Sequence, residues 1–105
     1  MSEHAVIVRF DYGSRDLARL FELEEQLEAA LVERPVGELD GNEVAVDGSD
    51  GLLYLYGPDA DALFEAIRPI LASTGAISNA VATLRYGPPE DGVRRRLVKI
   101  EASGS

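Results

Sequence analysis

An apolar run that stops at a Tyr-Gly corner and gives way to a stretch of helical period occurs twice in this chain. Ala5 to Phe10 leads into Tyr12-Gly13-Ser14, and Leu52 to Leu55 leads into Tyr56-Gly57-Pro58-Asp59. Two strand-corner-helix units in 105 residues leave few folds open, because each unit must bury a sheet face and a helix stripe in a common core. A third pair, Tyr86-Gly87, closes the run Ala80 to Leu84 and is followed by Pro88-Pro89. Read as equivalent corners, Tyr12 and Tyr56 are expected at the same end of parallel central strands, with Tyr86 at the opposite end. Tyr12 and Tyr56 lying at opposite ends of the sheet would show that architecture to be wrong.

The remaining punctuation fills in the order. Ala5-Val6-Ile7-Val8-Arg9-Phe10 is rich in β-branched residues and predicts a strand. Ser14 is the expected N-cap of a first helix, whose stripe is Leu17, Leu20, Phe21, Leu27, Ala30 and Leu31 and whose end is set by Pro35. Gly37 to Asp47 and Gly51 to Tyr56 flank Asp47-Gly48-Ser49-Asp50-Gly51, which predicts a hairpin, since these residues tolerate positive φ. Asp40-Gly41-Asn42 predicts a bulge in its first arm. Pro58 suits the first turn of a second helix with Leu63, Phe64, Ile67, Ile70 and Leu71 on one face, and Pro69 predicts a kink near Glu65. Ile77 to Tyr86 and Val93 to Glu101 are the last two strands, joined by a loop over Gly87 to Gly92. Residues 1–101 are expected to form one α+β domain and 102–105 a disordered tail.

The order β-α-β-β-α-β with an added C-terminal strand predicts a ferredoxin-like α+β sandwich, both helices on one face and the extra strand at an edge. Leu55-Tyr56-Gly57-Pro58-Asp59-Ala60-Asp61 and Thr83-Leu84-Arg85-Tyr86-Gly87-Pro88-Pro89 resemble segments of small bacterial proteins of ferredoxin-like type. That resemblance spans most of the chain and implies no activity, so it assigns no functional residue.

Charge and composition narrow the function classes. The net charge of −9 is uneven: residues 1–84 carry −11 and residues 85–105 carry +2. An acidic body repels phosphate backbones, which argues against nucleic acid or an anionic membrane and leaves open a basic protein partner. There is no cysteine, so disulfides and thiolate chemistry are excluded. The first apolar run is too short for a signal-peptide core or a membrane span, which predicts a cytoplasmic protein.

No set of residues points to catalysis, a cofactor or a metal. His4 is the only histidine and is expected to be a solvated terminal residue. Asp47 to Gly51 lacks the alternating oxygen ligands of a calcium loop. Asp59 and Asp61 suit the positive end of a helix dipole as capping groups. Gly13-Ser14-Arg15 is friendlier to an anion but falls short of a phosphate loop. Glu22, Glu24, Glu25 and Glu28 read as a solvated helix face. Arg94, Arg95 and Arg96 read as charges guarding an edge strand, with Arg95 pointing opposite to its neighbours.

The candidate site is the sheet face away from the helices. Alternation sets Leu52, Tyr54 and Tyr56 opposite to Leu53 and Leu55, and groups Val81, Thr83 and Arg85, and Ala5, Ile7 and Arg9. If these sets share the open face, Leu52, Tyr54, Tyr56, Arg9, Thr83 and Arg85 form an interaction surface suited to a homodimer. Other readings are a small-molecule regulatory module resembling ACT domains, which bind effectors near the turn occupied here by Asp11-Tyr12-Gly13-Ser14, and an acidic antagonist of a basic protein. A base-stacking platform lacks its Gly-aromatic signature. Side chains that merely finish the core beneath the extra strand are the structural alternative.

Overall fold

Alternation along the first strand organises the molecule. In the computed structural model, which describes residues 3–101, β1 spans His4–Asp11 and turns Val6, Val8 and Phe10 into the core with no exposed surface. The other elements are α1 (Ala18–Glu33), β2 (Glu38–Val44), β3 (Asp50–Gly57), α2 (Ala60–Ser73), β4 (Ser78–Arg85) and β5 (Arg95–Lys99). The fold is α+β, with two helices and a five-stranded sheet in the order β2-β3-β1-β4-β5, every neighbouring pair antiparallel. The expected tail, residues 102–105, lies outside the described residues.

Both helices cover the same sheet face. Leu20, Leu23, Leu27 and Leu31 of α1 and Leu63, Phe64, Ile67 and Leu71 of α2 join Val6, Val8, Phe10, Leu53, Leu55 and Leu84 in one core cluster. The α1 stripe differs from its predicted form: Leu23 is buried and Phe21 is 52% exposed. Helix α1 also starts later than Ser14. The Ser14 hydroxyl accepts instead from the Asp16 N–H at 3.0 Å, and the Asp16 carboxylate accepts from the N–H of Ala18 at 3.0 Å. Local side-chain acceptors thus build a short loop before the helix begins.

Helix α2 is capped as its acids suggested, by Asp59, which accepts from the N–H groups of Asp61 and Ala62. Pro58 falls just before that cap, one step outside the turn where it was expected. The helix runs unbroken from Ala60 to Ser73 with Pro69 inside it. The predicted bulge in β2 is present as a register shift between Leu39 and Gly41. There Asn42 donates to the Glu24 carboxylate at 2.9 Å, so Glu24 ties α1 to the sheet instead of facing only water.

The expected placement of the corners is wrong. Ala5 pairs with Tyr56 and Asp11 with Asp50, so Tyr12 and Tyr56 lie at opposite ends of antiparallel β1 and β3. Ala5 also pairs with Arg85, which puts Tyr86 at the Tyr56 end. The reason lies in the element order. The α1 crossover returns β2 parallel to β1, and the hairpin then reverses the chain into β3. The proposed criterion therefore fails, since that order requires opposite ends.

The two corners also differ in kind. Gly13 has φ +82, whereas Gly57 is small because the Val36 carbonyl packs where a Cβ would stand. Tyr12 lies against the core, its ring 6.5 Å from that of Phe10 and its hydroxyl donating to the Asp16 carbonyl. Tyr56 projects from the other face of the sheet.

The β1–α1 loop is clamped to the β2–β3 turn. Tyr12 N–H donates to the Ser49 carbonyl at 2.9 Å, and the N–H groups of Gly13 and Ser14 converge on the Gly48 carbonyl at 2.7 and 3.0 Å. Gly48 has φ +74, and a Cβ there would overlap the Ser14 carbonyl. Gly48→Ala is therefore expected to lower stability by about 1–3 kcal/mol, whereas Gly41→Ala, with open space at its Cβ, should stay within about 0.5 kcal/mol. Urea unfolding of both variants checks this; equal midpoints would show that the clamp carries no energy.

Candidate functional site

The pairing register turns the open sheet face into three cross-strand rows. Glu43, Leu52, Arg9, Val81 and Lys99 form one; Gly41, Tyr54, Ile7, Thr83 and Leu97 form the next; Glu38, Tyr56, Ala5, Arg85 and Arg95 form the third. All six residues singled out from the sequence lie on this face. Leu52, Tyr54, Tyr56, Thr83 and Arg85 are half-buried, and Arg9 is exposed. Lys99, Arg95 and Leu97 of β5 belong to the same surface. They escaped a reading by alternation because only the β4–β5 register tells which β5 residues share it.

The face has an apolar middle and a charged border. Ile7, Leu52, Tyr54, Tyr56 and Val81 are half-covered, while Glu38, Glu43, Arg95 and Lys99 at the edge strands are exposed. The half-covered apolar side chains thus lie between two charged edge strands. Arg9 sits near the middle, but its charge is answered by Asp50 at 2.9 Å and Asp11 at 3.9 Å. Burial among its neighbours, followed by the Glu43 carboxylate, pushes the Tyr54 phenol up from its ordinary value.

A second constellation was missed in the sequence. At the end of the sheet where β1 begins and β4 ends, His4 is part of a strand and accepts the Ala60 N–H on Nδ1 at 3.0 Å, so it helps cap α2. This overturns its reading as a solvated terminal residue. The Tyr86 ring meets His4 edge to face at 5.7 Å and donates its hydroxyl to Asp61 at 2.6 Å. Arg96 lies 3.7 Å from the same carboxylate, and the Arg94 guanidinium stacks 5.1 Å from the Tyr86 ring. These five side chains come from four separate segments, and no spacing in the chain announces them. Their bonds run among themselves and to the helix end, so the cluster reads as a joint between β5, β4 and α2.

The β1–α1 turn is closed against the β2–β3 turn. The N–H groups of Tyr12, Gly13 and Ser14, which an anion or effector would need, are spent on the hairpin turn. In that turn the Asp47 carboxylate accepts from Ser49 N–H at 2.9 Å, and its bonds to Ser49 hold its pKa below the usual value of 3.8. A depression of about 920 Å³ at the α1–β2 corner is lined by residues that include Glu3, Glu28, Glu38 and Asp40 beside Val32 and Tyr56. Among the described residues no group of three or more histidine, aspartate or glutamate side chains converges as a metal site. No helix among them is long and apolar enough to cross a membrane. Comparison with known proteins finds no family model, no curated protein and no solved structure that matches the chain.

The Tyr86 joint makes a testable statement about pH. The bond to Asp61, helped by burial and opposed by Arg96, holds the Tyr86 phenol above the ordinary 10.0. Because the native value is raised, the bond contributes in full below pH 10.0 and is lost as pH rises through the native value. Ultraviolet titration of Asp61→Ala against wild type should show one tyrosine midpoint falling, and Tyr86→Phe should remove that transition. An unchanged midpoint in Asp61→Ala would show that the bond does not form.

Proposed function

We propose that the protein is a non-catalytic interaction module of ferredoxin-like type that forms a homodimer through the open face of its sheet. The observation that carries this reading is the half-buried apolar and tyrosine patch, Leu52, Tyr54, Tyr56, Ile7 and Val81, which no element among the described residues covers. The ferredoxin-like assignment is supported by the β-α-β-β-α-β order, the two helices on one face and β5 placed outside β4. Tyrosine and arginine together at the centre of a surface are characteristic of interface cores. The covered-core alternative loses ground because β5 extends the sheet edge and leaves this face open; Leu97 remains 70% exposed. The effector-binding alternative loses ground because the donors at the β1–α1 turn are occupied. A cytoplasmic setting fits a chain without cysteine.

Tyr54→Asp and Tyr56→Asp place a charge in the middle of the patch while leaving the helix-side core untouched. Each is expected to give a monomer with an unchanged circular dichroism spectrum, read by light scattering at high micromolar concentration. A wild-type protein that is itself monomeric under those conditions would overturn the reading.

A further inference from the structure

The open face is not symmetric in charge, and that asymmetry states how two copies would meet. Its β2 edge ends in Glu38 and Glu43, and its β5 edge ends in Arg95 and Lys99, with β1 midway between them. We propose that a second copy of this chain docks on this face with its acidic β2 edge over the basic β5 edge of the first, about a two-fold axis running along β1. The proposal rests on the homodimer reading above and specifies its geometry.

A closed dimer uses the same patch on both copies, so the axis decides which strands face each other. An axis across the strands would lay β2 on β2 and β5 on β5, setting like charges against like at both borders. An axis along the strands lays β2 on β5 twice, so both borders become attractive. Stacked sheets keep their strand directions within about 30°, which leaves the rows roughly in register across the interface. Glu43 and Lys99 occupy one row and Glu38 and Arg95 another, so each acid meets a base of the facing copy.

Shape gives a second, independent reason. In the middle row the two ends are Leu97, a large side chain 70% exposed on β5, and Gly41, which has open space where a Cβ would be on β2. Only the β2-on-β5 arrangement sets that protrusion over that gap. Arg9 then faces its own copy across the axis, and its pairing with Asp50 and Asp11 removes the repulsion that an unpaired arginine would bring.

The absence of cysteine makes the test direct. Glu43→Cys and Lys99→Cys proteins are treated with a short bismaleimide, separately and mixed, beside light scattering of the wild type. Crosslinked dimer is expected in the mixture and little in either variant alone. Self-crosslinking of each variant alone would overturn the proposed axis while leaving the homodimer standing. A dimeric wild type with no crosslink in any sample would overturn the axis as well, and a monomeric wild type would overturn both. In parallel, Glu38→Arg/Glu43→Arg and Arg95→Glu/Lys99→Glu should each self-associate at least about tenfold more weakly than wild type, because like charges now face each other. Mixing the two should restore association, with circular dichroism confirming that both are folded. If each alone associates as tightly as wild type, the charge argument fails.

Discussion

The burial of Val6, Val8 and Phe10 on one side of β1 is the constraint on which the rest of the structure depends. β1 pairs with both β3 and β4, so its parity is handed to the whole sheet. Once those three side chains face the helices, Ala5, Ile7 and Arg9 must face away, and the registers carry Leu52, Tyr54, Tyr56, Val81, Thr83 and Arg85 with them. The magnitudes show which effect sets the parity. Truncating a buried phenylalanine costs about 3–5 kcal/mol, whereas an exposed pair such as Arg9–Asp50 is worth at most about 1 kcal/mol. A one-residue slip would exchange the two faces completely, so core packing specifies the candidate surface although no surface residue contributes to it.

Much of this was legible in the chain because it rests on period and punctuation. Element order, the hairpin at Asp47 to Gly51, the β2 bulge, the Asp59 cap and the common face of the six open-face residues all follow from alternation, helical spacing or turn chemistry. What failed had tertiary causes. Phe21 and Leu23 both fit a helical stripe, and only the crossing of α1 over the sheet decides that Leu23 is inside. Ser14 looked like a cap, but the loop was drawn toward Gly48 and Asp16 took over the bond to the helix. His4, Asp61, Tyr86, Arg94 and Arg96 meet only after the sheet is complete, so no local pattern could group them. The corner tyrosines show a different kind of failure. The motif repeats in the chain, but the hairpin between its copies reverses their direction in space.

The functional reading follows from what the fold leaves uncovered. The helices close one face, β5 extends the sheet instead of covering the other, and the turn that could have held an anion is bonded to the hairpin. What remains is a patch with an apolar middle, tyrosines and a border whose two edges carry opposite charge. In the proposed dimer, one orientation sets opposite charges together at both borders and the other sets like charges together. Association and its direction are therefore separable claims with a common structural origin.

The most direct measurement of the central claim is a dilution series of amide and methyl NMR spectra from high to low micromolar concentration. If the open face is where copies meet, signals from Ile7, Leu52, Tyr54, Tyr56 and Val81 shift or broaden with concentration, while those from Glu22, Glu25 and Arg68 on the helix side stay fixed. Concentration-dependent changes confined to the helix side, or none at all, would contradict it.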